Sequence, residues 1–257
     1  MAFELSPLNL HRRSCVDVIS AKIGSMLPSR PAEGFTLAEV LITLGIIGVV
    51  AAITIPGLIQ KNQANKLKSQ YLKAYSEIAQ SIKLMKNDDV SLDTRTYGSG
   101  NSFYKTFYTY FKNAHLCGTG ISTLKKEMCL HNGDTSYKTL DGKSPLPLAR
   151  FDDGQFVLMD GALVLLENPY VSTNPTLWIH VDINGKTQKP NRWGIDLFTF
   201  YMNDDEEIVP MGAKGTPYNS QDLYCNPSKT NLFNGAACSV KAMSDSDYFQ
   251  KAVKWIK

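Results

Sequence analysis

The sequence predicts an α+β protein: one long N-terminal α-helix whose outer half packs on an antiparallel sheet of about four strands, in a head with local disulfide loops. Three observations carry this expectation. Residues 35–87 hold an unbroken apolar run and then an apolar stripe at steps of three and four. Residues 151–211 hold short apolar runs separated by turn pairs such as Asp160-Gly161 and Asn184-Gly185. Four of the five cysteines fall beyond the helix as two close pairs, Cys117 with Cys129 and Cys225 with Cys238.

The apolar run begins Gly34-Phe35-Thr36-Leu37-Ala38-Glu39 and continues to Ile59. From Phe35 it supplies the ~20 residues that a membrane-spanning helix needs. Glu39 is its one ionised residue, and a lone carboxylate in an apolar helix costs at least ~2.5 kcal/mol, so it requires a partner. A cut between Gly34 and Phe35 creates one. The new amino group at Phe35 would lie beside Glu39 of a neighbouring, axially offset subunit, and pairing in low dielectric would set the register of a filament.

This segment, Gly34-Phe35-Thr36-Leu37-x-Glu39 before an unbroken apolar stretch, resembles the class III signal of type IV pilins and type II secretion pseudopilins. The resemblance covers about a tenth of the chain. It implies a pilin-like fold, cleavage by prepilin peptidase after Gly34, and N-methylation of Phe35. Glu39 would then be the assembly residue, and Pro56 matches the family's helix-bending proline. The implied partners are other pilin-like subunits in a homo- or hetero-oligomeric filament, the inner-membrane assembly platform and its cytoplasmic ATPase. The implied location is a single-pass inner-membrane protein with its head outside the cytoplasm, then a periplasmic pseudopilus or a cell-surface pilus. An ordinary secretory signal fits less well, because its cut lies beyond an apolar core of only roughly 7–15 residues. A plain membrane anchor gives no reason for Glu39.

Residues 1–34 read as a removable leader. Arg12, Arg13, Lys22 and Arg30 would hold it on the cytoplasmic side. Leaders of the simplest kind are much shorter, and Met26 would give one of nine residues as an internal start. Cys15 is lost with the leader. Beyond the span, residues 35–59, an amphipathic outer half follows at 60–87. Its stripe is Leu67, Tyr71, Ala74, Tyr75, Ile78, Ile82 and Met85, interspersed with Lys61, Lys66, Lys68, Lys73, Lys83 and Lys86. These lysines form a solvated face or meet anionic headgroups or neighbouring subunits. At 1.5 Å per residue the helix from Phe35 to Asn87 would be about 80 Å long, and Pro56-Gly57 should bend or locally unwind it.

The head occupies residues 88–257. Its first part, 88–150, is irregular, with a short helix expected where Phe103, Phe107, Tyr110 and Phe111 fall at helical spacing. Strands are expected at Gln155–Met159, Ala162–Glu167, Leu177–Ile183 and Asp196–Met202, with Glu207–Val209 a weaker edge candidate. The sheet region, from Val181-Asp182-Ile183-Asn184-Gly185 to Gly194-x-Asp196-x-Phe198, is also similar to that of pseudopilin-like heads. Residues 212–257 form a cysteine-closed region ending in a short helix marked by Phe249, Val253 and Ile256.

An even set of cysteines beyond a membrane suits disulfides in an oxidising compartment. The four allow three connectivities, of which local pairing is the simplest. His115-x-Cys117 with Cys129-x-His131 could alternatively offer zinc two nitrogens and two thiolates. Asp182, Asn184 and Asp196 are hard oxygen ligands that could hold calcium, although their spacing is not that of an EF-hand loop. Apart from that calcium option, no cofactor is expected.

Removing the leader's four bases and three acids leaves 23 Lys+Arg against 21 Asp+Glu. That near balance gives no basis for nucleic-acid binding. No nucleophile elbow, phosphate loop or credible triad is present. The chain reads as a substrate for processing enzymes rather than an enzyme. The alternative from another class is a filament-displayed module binding DNA or a glycan through exposed Tyr and Lys.

Overall fold

The computed structural model describes residues 34–98, 102–118, 127–168 and 177–256. The expected leader, with Cys15 and Met26, lies outside them up to residue 33. The chain divides into two compact units, 1–48 and 49–257.

In the first unit the described residues are three non-helical residues, Gly34–Thr36, and the start of α1 (Leu37–Asn87). Every residue described there is exposed.

The second unit begins with the remainder of α1, from Val49. Helix is continuous through Pro56-Gly57, with no unwound turn. Proline's missing N–H interrupts one bond of the ladder without ending the helix. The expected stripe is buried, from Ala64 through Leu67, Tyr71, Ala74, Ile78 and Ile82 to Met85, with Tyr75 at its edge. The helix stops where Asp89 takes the left-handed conformation, φ 55°, and the Val90 N–H reaches back to the Met85 carbonyl at 2.9 Å.

The aromatic cluster then forms α2 (Phe103–Phe107), extended by a 3-10 turn at Tyr108–Tyr110. Phe103 stacks on Phe107, and Phe107 meets Phe111 edge-on at 5.0 Å. All three rings belong to the core.

The sheet is a six-stranded antiparallel meander: β1 (His115–Gly118), β2 (Gly154–Val157), β3 (Leu163–Glu167), β4 (Trp178–Asp182), β5 (Leu197–Met202) and β6 (Ile208–Pro210), in that spatial order. The four inner strands fall where the apolar runs predict them, and β6 occupies the weaker edge candidate. β1 is a correction to the expectation of about four strands. It is four residues long, begins with an exposed His115, and has an irregular register between Leu116 and Gly118, so its sequence shows no apolar alternation.

Both faces of the sheet are covered. Phe156, Val164, Leu166, Ile179, Val181, Phe198 and Phe200 face the core that contains α1. Val157, Leu163, Leu165 and Leu197 alternate with them and pack under Leu130, Tyr137, Leu146, Phe151 and Trp193. This double burial is why the strands read as continuous apolar runs.

Tyr71 ties the layers together. Its ring meets Phe198 at 4.7 Å, and its hydroxyl donates to the Ser239 carbonyl at 2.6 Å. The C-terminal region adds three short helices: α3 (Gln221–Tyr224), α4 (Cys238–Ser244) and α5 (Tyr248–Ala252), the last continued by a 3-10 turn at Val253–Trp255. Gly194 packs on this region with φ 84°, and a Cβ there would lie 2.7 Å from the Cys238 sulfur.

On the second face, His180 is fully buried beside Phe151, with Nδ1 2.8 Å from the Thr199 hydroxyl. Burial depresses its pKa from 6.5 to about 3. The unfolded chain therefore takes up a proton below pH 6.5 that the folded chain refuses, so stability falls as the pH drops from 6.5 toward 3.

Two predictions follow from this packing, both read by thermal unfolding of the full chain in detergent. Acidification from pH 7 to pH 4 should lower the melting temperature of the wild type more than that of His180→Gln, which keeps a polar partner for Thr199 but cannot charge. Gly194→Ala should lose roughly 2–4 kcal/mol of stability. Gly215→Ala, at φ 90° with nothing within 4 Å of the added carbon, carries only the backbone strain and should lose less.

Candidate functional site

Gly34 and Phe35 form an exposed, non-helical approach to α1, and Phe35 is 88% accessible. The bond expected to be cut thus lies in exposed, non-helical chain just ahead of a helix, the kind of backbone a peptidase can take up.

Thr36 is the cap of that helix. The Thr36 N–H and hydroxyl both donate to Glu39 Oε2 at 2.8 Å, while the Glu39 N–H donates to Thr36 Oγ1 at 3.3 Å. This is a reciprocal capping box, which occupies two backbone donors that the helix itself cannot. The box has a sequence signature, Thr-x-x-Glu before an apolar run, which coincides here with the cleavage motif. Glu39 therefore has a local partner in addition to any partner on a neighbouring subunit.

Beyond the cap, α1 is long and apolar enough to cross a membrane. From Val49 to Ile59, in the second unit, Val49, Val50, Ile53, Ile55, Leu58 and Ile59 are all at least half exposed. Thr43 and Thr54 return their hydroxyls to the Val40 and Val50 carbonyls at 3.0 and 2.9 Å. Such self-bonding keeps a polar side chain compatible with hydrocarbon. Pro56 lies inside this exposed stretch.

The cysteines form two local disulfides, Cys117–Cys129 and Cys225–Cys238, with Cα separations of 5.9 and 4.9 Å. The sulfurs that the zinc alternative needs are bonded to each other, so His115 and His131 have no thiolate pair beside them. The first bridge is braced by Lys186, whose ammonium donates to the Cys129 carbonyl at 2.7 Å and pairs with the buried Asp134. Each bridge closes a short loop, a constraint worth roughly 3 kcal/mol.

Asp182, Asn184 and Asp196 come together in the buried interior. Asp182 accepts the Asn184 and Gly185 N–H groups on Oδ1 and the Tyr137 hydroxyl on Oδ2. Asp196 accepts the Arg192 N–H at 2.6 Å and the Asn191 N–H at 2.8 Å. All four carboxylate oxygens thus already accept a hydrogen bond, and calcium would have to share each of them with a donor of the chain. Burial and the neighbouring Asp196 push the Asp182 carboxyl well above its usual range.

The structure also gathers Asp152, Asp153 and Glu167, with ligand atoms within 4.8 Å of one another. Burial, Asp153 and Asp152 raise Glu167 to about 7, against the opposing Arg150 guanidinium at 3.4 Å. Asp152 and Asp153 are adjacent in the sequence, whereas Glu167 joins them only through the pairing of β2 with β3.

Thr36→Ala should fray the first turn of α1 by removing the hydroxyl half of the box, a loss of about 1 kcal/mol. Amide exchange of Leu37–Val40 in micelles should quicken several-fold, while exchange in the buried stripe stays unchanged.

Residues 29–55 match a family described as the prokaryotic N-terminal methylation motif. Comparison with curated proteins and with solved structures gives no match. The matched residues hold the Gly34–Phe35 bond, the capped Glu39 and most of the exposed apolar helix. The chain therefore carries the prepilin-type signal shared by type IV pilins and type II secretion pseudopilins.

Proposed function

We propose that this protein is a structural subunit of a type IV pilus-like or type II secretion pseudopilus filament. The apolar half of α1 inserts it into the inner membrane with the head outside the cytoplasm. Prepilin peptidase cuts between Gly34 and Phe35 and methylates Phe35. An assembly platform with its ATPase then moves the helix from lipid into a bundle of like helices. The head is carried outward, and the chain is acted upon rather than catalytic.

The observation that carries this reading is the methylation motif lying on an exposed, capped helix start that runs into an exposed apolar helix. In water that surface would associate nonspecifically. In lipid it is solvated, and in a filament it packs against its own kind. Glu39 then supplies the one charge to which the neighbour's amino group can pair.

Mass spectrometry of endogenous protein tests the processing step. A peptide beginning with methylated Phe35 in a sheared surface fraction identifies an external pilus subunit. The same peptide confined to membranes points to a pseudopilin or an unassembled pool. Gly34 still joined to Phe35 in every fraction refutes the proposal. Glu39→Val should leave cleavage and insertion intact while reducing filament-associated protein at least tenfold, because it removes the charge without shortening the apolar run.

A further inference from the structure

We propose that Lys61 of α1 and Lys254 of the C-terminal turn form a docking site for anionic phospholipid headgroups of the membrane in which the chain is anchored. The proposal rests on the membrane reading above. It adds a contact that holds the head of the unassembled subunit down on the bilayer.

The fold builds this surface from two distant parts of the chain. Ala252 and Val253 are buried in the core, which fixes the last turn beside α1. Gln250, Val253 and Lys254 then face Gly57, Gln60 and Lys61 across a cleft of about 280 Å³. Gly57 leaves the α1 side open, since a Cβ there would meet nothing within 4 Å.

Its position points to lipid. The exposed apolar run ends at Ile59, and Lys61 follows about 3 Å further along the helix axis. When that run lies in hydrocarbon, the cleft lies at headgroup level. Lysine, glutamine and a half-buried Trp255 are the side chains suited to that layer.

Charge points the same way. Lys61 and Lys254 are exposed, and among the described residues neither has an acidic partner. Lys251, in α5 just ahead of the turn that carries Lys254, is taken by Asp245 at 2.8 Å. Asp247 lies at the opposite end of that helix from Lys254. Further up α1, Lys66 stands 3.5 Å from the Gln188 side chain, next to an exposed Lys189. The face at the end of the apolar run is thus cationic, and each lysine near an anionic surface should raise headgroup occupancy roughly fivefold.

The test uses the full chain in nanodiscs of phosphatidylcholine, with or without about 30% phosphatidylglycerol to give a strong surface potential. The readout is amide exchange of residues 248–256, with Lys61→Gln/Lys254→Gln and, as a control, Lys214→Gln, an exposed lysine elsewhere on the head. The expected result is several-fold slower exchange with the anionic lipid, reversed by high salt and by the double variant but not by the control. Exchange that ignores phosphatidylglycerol in a properly inserted protein overturns the proposal, as does slowing that survives the double variant. Failure of the chain to stay in any nanodisc refutes the membrane reading itself, a result distinct from either.

Discussion

The head depends on one stripe of α1 being buried against the sheet. Eight positions from Ala64 to Met85 leave water there, and Tyr71 stands where the layers meet. Its ring lies on Phe198 and Phe200, its hydroxyl bonds the Ser239 carbonyl, and the Ser239 hydroxyl accepts the Thr199 N–H at 2.9 Å. One polar chain inside an apolar interface thus joins α1, β5 and α4. A buried hydroxyl must be satisfied, so this contact fixes helix rotation more sharply than hydrophobic area can. N-terminal to Ala64 the stripe has no sheet beneath it. The same helix that is core from Ala64 onward is exposed from Val49 to Ile59, and its apolar surface there needs a different solvent.

The second face of the sheet is covered by segments with little regular structure. They cannot bury surface as economically as a helix does, because their backbone groups need partners one at a time. The interior accordingly holds side chains that serve the backbone. Gln155 exchanges bonds with Leu130 in both directions, and Asn234 donates to the Asn226 and Lys229 carbonyls. Asp182 and Asp196 accept the N–H groups of the turns between β4 and β5. The Cys117–Cys129 disulfide fastens this layer, while Cys225–Cys238 lies in the core on the α1 side, and each closes a loop that hydrogen bonding alone would leave open.

What was legible in the sequence was local or periodic. The α1 stripe could be read because helix spacing repeats over six turns, and the inner strands because Asp-Gly and Asn-Gly turns bound them. The cleavage motif could be read because its residues are contiguous. The local disulfides were the simplest of three pairings, and the structure selects them. β1 escaped because an edge strand of four residues owes its pairing to β2 rather than to its own pattern. His180 gave no signal, since its neutrality comes from burial among residues distant in sequence, Phe151 and Trp193 among them. The gathering of Glu167 with Asp152 and Asp153 is tertiary in the same way. The capping box is different: Thr36 and Glu39 stand at a recognisable spacing, and only the stronger suggestion of a filament contact for Glu39 obscured it.

That box changes how the lone carboxylate is to be understood. A helix that starts within or near hydrocarbon exposes N–H groups that find no water, and each is costly there. Glu39, at the third helical position, is where a carboxylate can bond back to the cap, and Oε2 takes both donors of Thr36. The proposed cleavage after Gly34 would leave Phe35 and Thr36 in place, so the cap would survive processing. Oε1 accepts no hydrogen bond from the described residues, and in the proposed filament it is the atom left for a neighbour's amino group. One carboxylate can then close its own helix and set the register of the next subunit, through different oxygens. The charge that looked anomalous in an apolar run is placed where the end of a helix and the start of a contact coincide.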